Sequence, residues 1–301
     1  MMSKQNKKNK LPINILTYKK YYAFIDIESY NDIATALPYD ISIYIMLNDE
    51  VIEKYCILYI DCFIDDDIEK NCYFKDKIPL YEYQQHLEEN KDIQFIYLSK
   101  YDMICKINEI FTRYNIKLII GYNVNFDYRV VNRLYTNVNN TIKRKKRRFR
   151  DLNLIYKDIQ PIVKNHFTPV NYFDLYYGIT ELFIANELMF LQYIIFTLEN
   201  DLITESFKSI SSKEEHIYMF YIDMTHREWH LGFKDIIDEI QLYKHFKQLL
   251  RTRLLDKKHF LQLNTNAKKS IYNLINIKRI LKKYGLYDKY KDKLDYYKTM
   301  Q

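Results

Sequence analysis

Residues 24–28, Phe-Ile-Asp-Ile-Glu, set two carboxylates one residue apart in a stretch apolar enough to be a core strand. Strand side chains alternate between faces, so Asp26 and Glu28 point the same way. Two carboxylates side by side on a buried strand repel each other and are costly to desolvate. A divalent cation between them relieves both penalties. The competing reading puts Glu28 past the strand end, in solvent, so that only Asp26 needs a partner. The first reading requires further ligands from elsewhere in the chain.

With 301 residues, 48% of them hydrophobic, there is apolar material for one large domain, or a domain with an appendage. The net charge of +7 is unevenly placed. Residues 143–150 hold seven basic residues in eight, and from Arg251 onward 14 Lys/Arg face 4 Asp, so the remainder is net acidic. Localised basic segments on an acidic body point to a polyanion partner; a solvated tail and loop, or a nuclear-localisation signal, would carry the same charge. Cys56, Cys62, Cys72 and Cys105 show neither C-x-x-C nor zinc spacing. They read as reduced thiols of an intracellular protein, cytoplasmic or nuclear. No apolar run approaches the ~20 residues of a membrane span, so no membrane partner is expected. The usage is skewed, with 31 Tyr and only 4 Gly, as in an AT-rich genome, and would suit a virus- or parasite-encoded chain.

Hydrophobic periodicity predicts a basic flexible arm over 1–17 and strands over 22–27, 41–47 and 54–60, followed by an irregular acidic surface segment over 61–90. A helix is expected over 100–114, a strand over 116–120 and a helix over 127–134. A basic insertion over 137–170, with room for one helix, follows, then a strand over 171–175 ending near Asp174. Helices are expected over 181–196 and 235–250, with a loop over 200–213 between them. The main unit spans 18–252, and 253–301 is a basic helical extension. The fold class is α/β, a mixed sheet flanked by helices.

Two further stretches carry candidate chemistry. Ile119-Ile120-Gly121-Tyr122-Asn123-Val124-Asn125-Phe126-Asp127 runs an apolar strand into a tight turn and then a helix. The carboxyl end of a strand is where α/β sites lie, although Asp127 would also serve as a helix cap. His230-Leu231-Gly232-Phe233-Lys234-Asp235 places a histidine on a loop and an acid in the first turn of a helix. There Asp235 would also favour the helix dipole. His226 reads as a surface or capped residue.

Together these stretches resemble the DEDDh (DnaQ-like) family of 3′–5′ exonucleases in the ribonuclease H-like superfamily, over about residues 20–252. Asp26-Ile27-Glu28 matches the first motif, Gly121 to Asp127 the second, and His230 with Asp235 the third. Asn171 to Leu175 resembles the strand between the second and third motifs. The second motif is closer to that of the proofreading domain of family-B DNA polymerases, which carry Tyr rather than His in the third. The interval from Asp127 to Asp235 is long for the family. The resemblance implies two Mg²⁺ or Mn²⁺ ions. Asp26 would bridge them, Glu28 and Asp235 would hold the ion that activates water, Asp127 would lie by the second ion, and His230 would be the general base. The implied substrate is a single-stranded 3′ end, DNA before RNA, with a replication or processing complex as a further partner. Lys143, Arg144, Lys145, Lys146, Arg147 and Arg148, together with the basic C-terminal tail, would then hold the phosphate backbone; within a larger complex the tail would instead be a docking element. Asn125 would contact the substrate, and Phe126, Tyr128 and Phe233 would stack on bases.

Overall fold

The β-branched and aromatic runs pair into one sheet in a computed structural model that describes residues 15–30, 34–64, 85–86, 88–151, 171–252 and 270–300. Strands β1 (Tyr22–Tyr30), β2 (Leu37–Leu47) and β3 (Glu50–Tyr59) form an antiparallel meander. Asn48 and Asp49 turn the chain between β2 and β3 at φ 53° and 69°, a left-handed conformation that Asn and Asp tolerate. β4 (Gln94–Leu98) adds parallel to β3, β5 (Leu118–Gly121) parallel to β1, and β6 (Asn171–Asp174) parallel to β5. The order is β4-β3-β2-β1-β5-β6, so β2 alone runs against the others.

Eight α-helices of eight residues or more among the described residues complete the fold. α1 (Lys100–Arg113) buries Met103, Ile104, Ile107 and Ile110, and starts at Ser99, whose hydroxyl accepts the Asp102 amide. α2 (Val124–Asp151) follows β5, α3 (Leu175–Ala185) follows β6, and α4 (Glu187–Glu199) and α5 (Glu214–Tyr221) succeed it. α6 (Gly232–Thr252) lies over the face of β1 that carries Phe24 and Asp26. Its Tyr243 ring meets Phe24 at 5.4 Å, and Tyr44 donates to the Phe233 carbonyl at 2.7 Å. Tyr55, on the opposite face with Ile25 and Ile43, receives Arg113 of α1 at 3.3 Å.

Several expectations change. The helix predicted to end at 134 continues to Asp151, so 137–151 of the supposed insertion, basic cluster included, is its last four turns. Val138 and Ile142 keep an i, i+4 buried stripe, and Lys and Arg are good helix formers that suit a helix C-terminus. The remainder, 152–170, lies outside the described residues, as do 1–14, 65–84 and 253–269. The helix predicted over 181–196 is two helices bent by 113°, because Asn186 caps the second through the Met189 amide at 3.0 Å. β4 and α5 were not expected. β4 is a sheet edge with exposed and half-buried residues, and so lacks a clear apolar signature.

The C-terminal extension is built into the body. α7 (Leu274–Lys283) and α8 (Tyr287–Thr299) dock by Lys283–Glu187, Lys289–Glu199 and Lys293–Asp201 ion pairs. Just before α7, buried Tyr272 lies 2.9 Å from the Thr180 hydroxyl of α3. Among the described residues no single helix is long and apolar enough to cross a membrane.

One buried contact fastens α6 to the β2–β3 turn. Lys247 is 5% exposed and gives both Asp49 oxygens hydrogen bonds of 2.7 Å, while the Tyr22 hydroxyl adds one of 2.8 Å. Lys247→Met keeps the buried stem and deletes the charge, leaving Asp49 with the Tyr22 hydroxyl and the charge of Arg251. The expected loss is about 2 kcal/mol in urea unfolding.

Candidate metal centre

Parallel pairing brings three strand ends to one edge. Ala23 pairs with Ile119, and Gly121 with Asp174, so β1, β5 and β6 open together where β1 changes from an antiparallel to a parallel neighbour. That reversal is the switch point at which α/β sheets hold ligands. Asp26 and Glu28 both lie inside β1, opposite Ser42 and Asp40, so Glu28 is a strand residue and half-buried. A bulge between Glu28 and Ser29 bends the strand there. α6 begins directly above. A Cβ on Gly232 would sit 3.2 Å from Asp26 Oδ2 and 3.2 Å from Ser42 Oγ, so any side chain here would crowd both groups. Oxygens of Asp26, Glu28 and Asp235 lie within 4.8 Å of one another.

Asp127 and Asp235 sit in the first turns of α2 and α6, which begin three residues earlier than the two acids. Asp235 also serves its own loop: its carboxylate accepts the Trp229 amide at 3.2 Å and the Leu231 amide at 2.9 Å. Burial first, and then the neighbouring acids, raise all four carboxyls above their usual range, and Asp26 is pushed up to about 8. Asp26 is the largest charge acting on Glu28, Asp127 and Asp235. Asp127 thus feels the charge of Asp26 without joining the group within 4.8 Å. His230 is likewise outside that group. It stands at φ 56°, a conformation costly for a side chain with Cβ, with its ring 3.8 Å from Glu228.

The turn after β5 differs from expectation in detail. Asn123, at φ 57°, takes the left-handed conformation, whereas Gly121 is required because a Cβ would meet the Ile25 carbonyl at 2.8 Å. The Tyr122 amide donates to Glu239, and the Asn123 amide to Asp174 at 3.2 Å. Asp174 also caps α3 through the Tyr176 amide at 3.1 Å.

More acids surround the trio than the motifs contain. Asp40 is fully buried and held by the Ser42 hydroxyl at 2.8 Å and the Cys56 thiol at 3.4 Å. Glu239, one turn beyond Asp235, is fully buried, and its Oε2 has no hydrogen-bond partner among the described residues. The i, i+4 spacing from Asp235 was the available signal for Glu239. Asp40 carried none, because its strand was expected to start at 41. His226 is a correction: its Nε2 is 3.0 Å from Asp238, both side chains are largely buried, and its ring lies 4.2 Å from Tyr218.

Of the nucleic-acid candidates, Asn125 is exposed and Phe126 half-buried at the start of α2, while Lys143, Arg144, Lys145 and Arg147 are exposed on its last turns. Lys146 and Arg148 are in the same helix, but their side chains lie outside the described residues. Phe233 is fully buried against Phe95, at 5.3 Å, because it faces the sheet, so it cannot stack on a base. Tyr128 instead stacks on half-exposed Tyr172 at 6.4 Å.

The donor set can hold a hard divalent cation. It is all oxygen, it converges, and no lysine or arginine among the described residues forms an ion pair with Asp26, Glu28, Asp127 or Asp235. The chain matches no model of a known protein family, and no curated protein matches it in sequence.

Raised carboxyl pKa values set the sign of the pH dependence. The folded protein holds protons that the unfolded chain releases near pH 4, so stability in EDTA should fall as pH rises from about 4 to about 8. Mg²⁺ or Mn²⁺ should raise the melting temperature, and more at pH 8 than at pH 5. Scanning fluorimetry reads both effects, and an equal ion effect at the two pH values would count against the site. Gly232→Val should remove most of the ion-induced shift by crowding Asp26.

Proposed function

We propose that this chain is a metal-dependent 3′–5′ exonuclease of the DEDDh type on a ribonuclease H-like sheet, acting on single-stranded ends, DNA in the first instance. The observation that carries the reading is the convergence of Asp26, Glu28 and Asp235 from β1 and the first turn of α6. A sheet in which only β2 is reversed, and an acid edge at its switch point, support it. Asp26, Glu28 and Asp235 would hold Mg²⁺ or Mn²⁺, with Asp127 beside them. When bound, such ions supply an activated water and stabilise the leaving 3′ oxygen.

The chain's own residues have separate tasks. Asp26 sets the field at the centre, being the largest charge on its three partners. Asp235 holds both the site and the 229–231 loop that carries His230. His230 takes the proton of the attacking water, with Glu228 positioned to steady the imidazolium. Asn125 and Phe126 directly precede Asp127 at the start of α2, and the exposed cations at its far end offer sequence-independent phosphate contacts. A binding protein with no catalysis has no use for four mutually repelling acids without a cationic side-chain partner, which favours an enzyme. The same centre would serve an exoribonuclease, and a place in a replication or processing complex would leave the chemistry unchanged.

Purified protein with 5′-labelled single-stranded DNA or RNA should yield a ladder shortening from the 3′ end with Mg²⁺ and none with EDTA. Asp26→Asn and Asp235→Asn should each lower the rate at least about 10³-fold while the protein still folds. His230→Ala should lose about 10²–10⁴-fold and retain the ion-induced rise in melting temperature. Full activity in Asp26→Asn would sink the reading. An unaffected His230→Ala beside an inactive His226→Ala would move the base to the His226–Asp238 pair.

A further inference from the structure

The positive charge of the C-terminal helices is of two kinds. Lys283, Lys289 and Lys293 are spent on Glu187, Glu199 and Asp201, and hold the extension to the body. Lys208, Lys278, Arg279, Lys282 and Lys298 instead converge on a cleft of about 670 Å³ beside Ile275. No carboxylate among the described residues lines this cleft, and Lys278 is paired with Asp295 at 3.5 Å. Lys208, Arg279, Lys282 and Lys298 are exposed and form no ion pair among the described residues. Exposed cations gathered around one hollow repel one another and favour the entry of an anion; of the four, Arg279 also feels the charge of Glu187.

A second cleft, of about 550 Å³, adjoins it across the first turns of α7, and Asn273, Ile275 and Arg279 belong to both walls. Its floor is apolar, with Phe183 and Phe190 beneath and 40%-exposed Ile184 at the rim. Glu187 on its wall is already taken by Lys283 at 2.5 Å and by the Tyr284 hydroxyl at 2.8 Å. Ile275, between the two clefts, is 79% exposed, an unusual place for a large aliphatic side chain without a partner.

We infer that the paired clefts beside α7 are a binding site for single-stranded nucleic acid, with phosphates on Lys208, Arg279, Lys282 and Lys298 and unpaired bases against the exposed side chains of Ile275 and Ile184. The choice of this polyanion rests on the nuclease reading; the clefts do not. A cationic groove beside an apolar one fits a strand whose bases are free to leave the backbone. A duplex hides its bases, and a simple polyanion has nothing for the apolar half.

The test is binding of a fluorescent 20-nucleotide single strand to the full chain in EDTA, by anisotropy across salt concentrations. The triple substitution Arg279→Gln, Lys282→Gln and Lys298→Gln touches only exposed side chains and should leave the melting temperature unchanged. It should weaken binding about tenfold or more and lower the slope of log affinity against log salt by about 2, at ~0.7 per phosphate contact. Ile275→Asp should weaken the single strand several-fold and leave a duplex of the same length unaffected. An unchanged affinity and slope in the triple variant would overturn the site. So would equal losses for single strand and duplex, or a loss confined to vesicles containing phosphatidylserine. Because no metal is present, an absence of Mg²⁺-dependent cleavage would refute the nuclease reading without touching this result. Cleavage with unaltered binding in the variants would do the reverse.

Discussion

Repulsion among carboxylates gathered at one sheet edge is the constraint around which this molecule is arranged. Asp26, Glu28, Asp127 and Asp235 come from one strand and two helix starts, and burial together with mutual charge raises every one of their pKa values. Such a cluster costs stability unless a cation compensates it. Local backbone devices permit the gathering. Gly232 lets α6 approach Asp26, Gly121 lets the turn pass the Ile25 carbonyl, and Asn123 accepts a left-handed φ of 57°. Glu239 and Asp174 then tie that turn to α6 and α3 through its backbone amides.

Tyrosine, so abundant here, connects this edge to the rest of the molecule. Tyr122 of the turn meets Tyr176 at 5.9 Å, Tyr176 stacks on Tyr272 at 6.2 Å, and Tyr272 meets Phe190 at 5.9 Å. Their hydroxyls are satisfied inside the protein: Tyr122 donates to the Ser212 carbonyl at 2.6 Å, and Tyr193 to that of Ser211 at 2.9 Å. A buried aromatic with a satisfied hydroxyl adds apolar area without an orphaned polar group. The extension is therefore continuous, through packed rings, with the turn that carries the second motif.

The strands of the meander, α1, β5, β6 and α6 were legible because each has a clean period and a recognisable stop. The acids of the centre were legible because their type and order are unusual in apolar surroundings. β4, α5 and the length of α2 were not. An edge strand has a mixed pattern, and a helix rich in lysine and arginine resembles a charged loop until two buried residues, Val138 and Ile142, reveal its stripe. Asp40 and Glu239 escaped for a different reason, since each becomes part of the site only by pairing or packing with a distant segment.

By itself, then, the sequence determined the local facts: an alternating strand with two acids on one face, an Asn-bearing turn before Asp127, and a histidine and glycine before Asp235. Local periodicity and backbone preference suffice for these. Only the tertiary structure decided which acids meet. Parallel pairing of β1 with β5 and the seating of α6 on Gly232 put Asp26, Glu28 and Asp235 within 4.8 Å while leaving Asp127 and His230 outside that group. Distances between segments far apart in the chain depend on register and packing, and no window of sequence contains both partners.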